Sequence, residues 1–232
     1  MKKILILIIS ALLILPYSSC TKPSPEQPED GTEEGGNENE NENGNENEEG
    51  EENNGNEPSD TVTYAIGDYI EVGLSKGIVY SIDTTGQHGL MMSLDQGRAA
   101  WSTEYRMLTN EGGEFSFSDG FYNMQYIKLL DNWKELYPAF AWVDQKNVLG
   151  LNAWYLPAIS DFELITISFD IINETLIAKG KDPLHNGAND NYWTSVEIGV
   201  QDAYAYSFFY NDISSYDTDK KMEHYVIAVR SF

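Results

Sequence analysis

A break in composition after residue 60 confines folding to the last part of this 232-residue chain. Residues 21–60 hold 15 acidic side chains against one base, Lys22, with no aromatic, and residues 37–47 nearly alternate Asn and Glu. Such a stretch cannot bury enough apolar surface to offset chain entropy, so it is expected to stay disordered. Like charges also extend it. All five Trp, all nine Phe and 14 of the 15 Tyr lie beyond it. Residues 61–232 therefore carry the core, and their number suits one domain of ordinary size. No repeat at solenoid or propeller period is visible in them.

The segment before the acidic stretch has a different grammar. Lys2 and Lys3 precede an apolar run over residues 4–15, broken only by Ser10, and Pro16-Tyr17-Ser18-Ser19 leads to Cys20. A dozen residues fall short of the roughly 20 that span a hydrocarbon core, but they match the apolar region of a secretory leader. The arrangement resembles a bacterial lipoprotein signal covering residues 1–19. That resemblance implies Cys20 as the lipidated residue, a membrane partner reached through its lipid, and an outer-membrane or cell-surface location. An ordinary cleavable leader is the alternative. Residues 20–60 then read as a linker, a spacer reaching at most about 130 Å at roughly 3.3 Å per residue, or else a plain solubiliser. Cys20 is the only cysteine, so no disulfide is available to the domain.

Charge narrows the partners. Residues 61–232 carry 23 acids and 11 bases, about half of the chain's net −24. Nucleic-acid binding needs clustered Lys and Arg, and this sequence has no such cluster. Anionic lipid would be repelled as well.

Within the domain, strand-like runs at residues 67–72, 77–82 and 88–94, separated by glycine-bearing turns, predict a β-meander. Residues 95–113 look irregular apart from Trp101. A helix is expected over residues 120–130, capped by Asp119, followed by a turn at 133–137 that Pro138 ends. Trp154-Tyr155-Leu156 reads as a short strand. Ser160 and Glu163 have capping-box spacing at the start of a helix, and a second helix over about 169–179 stops at Gly180. Strands return at 192–196, 203–210 and 225–230. The class is α+β.

Several of these segments occur in a recognisable order. Trp154-Tyr155-Leu156-Pro157 with Asp161-Phe162, then Tyr192-Trp193-Thr194-Ser195, then Ala203-Tyr204 with Tyr206 and Phe208, then Tyr225 to Arg230, resemble the Lcl C-terminal-like domain family. The likeness covers about residues 67–232; Tyr204 stands where that family has Trp, and Ile227 where it has Arg. It implies a single C-type-lectin-like domain, related to formylglycine-generating enzymes and to the variable proteins of diversity-generating retroelements.

The chemistry points to binding. His88, His185 and His224 lack metal-ligand spacing. No cysteine in the domain can support formylglycine generation, and no nucleophile elbow, P-loop or dinucleotide fingerprint occurs. No enzyme activity and no cofactor are expected. Asp182-Pro183 and Asn189-Asp190-Asn191 offer oxygen ligands for calcium, but such loops ordinarily make turns. Alternation over 203–210 puts Tyr204, Tyr206, Phe208 and Tyr210 on one face, taken as core, and Ala205, Ser207 and Phe209 on the other. Loops at 197–202 and 211–223 are rich in Asp, Ser and Tyr, as adaptable binding surfaces are. Candidate ligand contacts are Gln201, Asp202, Ser207, Phe209, Tyr216 and Asp217, with a protein or glycan as the partner. A structural or assembly role in a surface appendage or envelope complex is the alternative.

Overall fold

A computed structural model describes residues 62–111, 114–149, 153–214 and 218–232. Cys20 and the acidic segment lie outside them. Two sheets and a set of short helices make up an α+β domain. The expected meander forms from β1 (Tyr69–Val72), β2 (Ser75–Ile82) and β3 (Gly89–Ser93), antiparallel throughout. Gly73, with φ of 60°, turns the chain between β1 and β2, a conformation that favours glycine. The last strand, β9 (Val229–Ser231), returns to pair with β3.

The second sheet has the order β4–β8–β5–β6–β7. Its members are β4 (Gly97–Ala100), β5 (Tyr192–Glu197), β6 (Ala203–Ser207), β7 (Asp212–Ile213) and β8 (Glu223–Val226). Most pairs are antiparallel, whereas β5 meets β8 in parallel at Tyr192 and Tyr225. The run 225–230, which reads as one strand, is divided between the sheets. Ile227 and Ala228 are fully buried at the crossing, and Ser93 holds it twice: its amide donates to the Ala228 carbonyl at 2.8 Å, and its hydroxyl accepts from the Ala228 amide at 3.1 Å.

Helices α1 (Gly120–Lys128), α2 (Trp133–Leu136), α3 (Pro138–Asp144), α4 (Ile159–Ile167) and α5 (Phe169–Ala178) lie between the strand groups in sequence. Asp119 caps α1 as expected, accepting from the Tyr122 amide at 2.8 Å. Pro138 does not end a turn. It opens α3, because its fixed φ and missing N–H suit the first helical position.

The capping box lies elsewhere than the sequence suggests. The N-cap of α4 is Ala158, and Asp161, not Glu163, is the third helical residue. Its carboxylate accepts from the Ala158 amide at 2.8 Å and from the buried Tyr80 hydroxyl at 2.7 Å. Burial raises the Asp161 pKa to about 6. Ser160 is already inside the helix.

The core is aromatic. Trp101 is fully buried, with Tyr137 and Phe140 edge-on at 5.7 and 5.3 Å. Its indole N–H donates to the Thr194 carbonyl at 2.9 Å, and that of buried Trp193 donates to the Ala99 carbonyl at 3.0 Å. The two tryptophans thus stitch the segment 99–101 to β5. Trp154 is buried too, donating to the Ser75 hydroxyl, and Tyr155 bridges to Val229 in place of a longer strand.

Candidate functional site

Four of the sequence-predicted ligand contacts, Gln201, Asp202, Ser207 and Phe209, lie among the described residues. Gln201 is exposed, and its carbonyl accepts from the Lys220 amide. Asp202 is half-buried and accepts from the Thr218 hydroxyl at 2.9 Å. Phe209 is 54% exposed and packs on Tyr210, 57% exposed, in the turn after β6. Ser207 must be corrected, because it is fully buried and cannot touch a ligand. Tyr216 and Asp217 lie outside the described residues. The alternation argument fails at Ser207 because both faces of β6 are covered: Ala203, Ala205 and Ser207 are as buried as Tyr206 and Phe208. Tyr204 is half-buried against Phe117, and Tyr210 lies beyond the strand.

These loops are pinned from beneath. The Lys220 ammonium donates to Glu197 Oε1 at 2.6 Å and to the carbonyls of Gly199 and Arg106 at 2.6 and 2.7 Å. Both side chains are almost wholly buried. Glu197 accepts in turn from the amides of Leu108 and Thr109 at 3.1 and 3.0 Å, and Lys220 Nζ lies 4.9 Å from the Trp101 ring centroid. Burial alone lowers the lysine's pKa, while the adjacent carboxylate opposes that shift. One ion pair therefore fastens three loops around residues 106–109, 197–200 and 220.

A different place has the form of a site. A cleft of about 430 Å³ opens between residues 94–98, residues 180–185 and Tyr225 on β8. Arg98 is directly opposite Tyr225 in the β4–β8 register, and its guanidinium lies 4.9 Å from the tyrosine ring centroid. Its Nη2 donates to the Glu223 carbonyl at 2.8 Å. His185 stacks on the same ring, centroids 4.0 Å apart and planes 13° from parallel.

The opposite wall is set by a helix end. Gly180, with φ of 69°, closes α5 as the sequence predicts: its amide donates to the Ile177 carbonyl and the Lys181 amide to that of Leu176. This is a Schellman arrangement, and it delivers Lys181 to the cleft. The next residues are held by side chains. Gln96 donates to the carbonyls of Asp182 and Pro183 at 3.2 and 3.0 Å, Asn173 accepts from the Leu184 amide, and the Tyr192 hydroxyl accepts from the His185 amide while donating to Gln96. Gly97 is required at the rim, since a Cβ there would come within 2.3 Å of the Trp142 indole nitrogen.

The histidines have separate surroundings. His88 is exposed, and His224 is buried against Trp193. The segment weighed for calcium forms a turn in which Asp190 accepts from the Gly187 amide. Among the described residues no three His, Cys, Asp or Glu side chains gather as metal ligands, and no helix is long and apolar enough to cross a membrane.

No protein-family model matches the sequence, and no curated protein is significantly similar to it. Among solved structures, a neighbour has a similar fold. It is a fimbrial protein from Bacteroides ovatus, 18% identical, with a TM-score of 0.50, and the match covers 67% of this chain and 44% of that one. The chain thus spans less than half the length of that protein.

Of the cleft's residues the sequence weighs only Asp182, as an oxygen ligand for calcium, and none stands among the candidate ligand contacts. His185 reads there as part of a polar loop, Tyr225 as strand, and Arg98 lies in a stretch without visible pattern. The signal that identifies them is the pairing of β4 with β8, which needs the fold.

Proposed function

We propose that this chain is a lipid-anchored surface protein whose C-type-lectin-like domain binds a ligand in the cleft between Arg98, Lys181 and Tyr225. The observation that carries the reading is the pre-organised state of that cleft. Its arginine is fixed by a carbonyl and a ring, and its far wall by four hydrogen bonds and a helix cap. Polar groups held in place before binding are what a recognition site requires. The ordered segments that resemble the Lcl C-terminal-like family support the lectin-like fold, and the leader ending at Cys20 supports the anchor.

A thermal-shift screen of peptides, glycans and small metabolites tests the reading, because a ligand that binds only the folded state raises the melting temperature. Compounds that stabilise the wild type should lose their effect on Arg98→Gln. Stabilisation that persists in that variant would move the site elsewhere.

A second reading has its own support. The neighbour of similar fold is a fimbrial protein, and this domain exposes apolar side chains at Ile167 (82%), Ile171, Phe209 and Tyr210. A shallow cleft of about 400 Å³ lies beside them, lined by residues 166–171 and Asn211. Subunit contact through this face would make the chain a component of a surface appendage. Ile167→Glu should then abolish co-sedimentation with surface filaments while leaving every cleft ligand bound.

A further inference from the structure

The charges of the cleft specify more than a polar ligand. In this domain acids outnumber bases by 23 to 11, yet only six of the 11 cations meet a carboxylate among the described residues. Lys76, Arg106, Lys128, Lys134, Lys146 and Lys220 each meet one. Arg98, Lys179, Lys181, Lys221 and Arg230 form no ion pair among the described residues, and of these Arg98 and Lys181 line this cleft. Asp182 lines the cleft too and has no cationic partner there, whereas Asp95 at the rim is neutralised by Lys146 at 2.6 Å.

We infer that the cleft takes a small α-amino carboxylate, a free amino acid or short peptide with both ends charged. This rests on the cleft being the binding site proposed above. Arg98 has one face against Tyr225 and one nitrogen on a backbone carbonyl. Its remaining N–H groups form a planar edge suited to a carboxylate in bidentate contact, with Lys181 as a second cation. Asp182 is the acceptor for the ammonium group. Its main-chain carbonyl accepts from the Gln96 side chain at 3.2 Å, which ties the loop bearing it to the strand side of the cleft. Arg98, Lys181 and Asp182 together carry one net positive charge, which a phosphate dianion would overfill, and a neutral sugar has no use for two unpaired cations. The half-buried His185 and Tyr225 rings supply apolar surface beside these charges. A volume near 430 Å³ falls in the range of small-molecule sites, roughly 300–1,000 Å³.

Saturation-transfer difference NMR on the intact chain in detergent reads this directly, with free L-amino acids and Ala-Ala-type dipeptides as probes. Each probe is compared with its C-terminal amide and its N-acetyl derivative. At least one zwitterionic probe should bind, with affinity at least tenfold weaker for either blocked form. Arg98→Gln should abolish the preference for the free carboxylate, and Asp182→Asn the preference for the free amine, both with unchanged melting temperature. Equal binding of the blocked and free forms would overturn the inference, as would silence of the whole probe panel. Should the panel be silent while a ligand from the thermal-shift screen still depends on Arg98, the zwitterion assignment alone falls and the cleft stands as the site.

Discussion

Two buried side chains respond to change in opposite ways. Ser207 is enclosed, and its hydroxyl has no hydrogen-bond partner among the described residues. Leaving a polar group desolvated and unpaired costs about 1–3 kcal/mol. Ser207→Ala is therefore expected to leave stability unchanged or raise it by about 1 kcal/mol in urea unfolding, and a loss above that size would mean the hydroxyl is bonded. Asp161 is the reverse case, bonded twice but raised to a pKa of about 6 from an ordinary 3.8. Between those values the folded protein binds more protons than the unfolded chain, so this residue's contribution to stability rises as pH falls. A gap near two units corresponds to about 3 kcal/mol. Comparing wild type with Asp161→Asn from pH 7 to pH 4 should show wild type gaining by about that amount relative to the variant. A difference that stays flat across this window would show the carboxyl is not raised.

Among the elements, those set by local signals were legible and those set by pairing were not. The meander, the Asp119 cap on α1 and the Gly180 stop of α5 follow from turn glycines, capping side chains and spacing, and each is found where expected. The α4 cap was misplaced by two residues because Ser160 and Glu163 satisfy the pattern on paper, while Asp161 is drawn inward by Tyr80, 81 residues earlier. β4 was missed for a similar reason, since Gly97–Ala100 becomes a strand only through β8. The Lys220–Glu197 pair was equally invisible, although it decides how the C-terminal loops are held. Removing one partner of a buried, bonded ion pair costs about 3–5 kcal/mol. Lys220→Met should destabilise by about that much, and the Leu108 and Thr109 amides should exchange hydrogen faster, because their acceptor Glu197 loses its counter-charge. An unchanged unfolding midpoint would mean that the loops are held by something else.

At the scale of the whole molecule the proposed function raises the question of what would keep an acidic chain at a membrane. Its net charge is −24, so anionic lipid repels it. Among the described residues no helix can cross a bilayer. The apolar run at residues 4–15 is too short to span one at roughly 20 residues per crossing. Under the proposed function, retention then falls to lipid on the single thiol, Cys20. One acyl chain gives only marginal binding and a second makes the anchor stable, so loss of the thiol should matter almost completely. Cys20→Ser is expected to abolish metabolic labelling with palmitate and to move the protein from the membrane fraction to the soluble one, with the melting curve of the domain unchanged. Because the substitution lies far outside residues 62–232, altered melting cannot be confused with altered anchoring. If Cys20→Ser stayed in the membrane fraction at the wild-type level, the apolar leader or a protein partner would be holding the chain, and the lipid anchor would have to be abandoned.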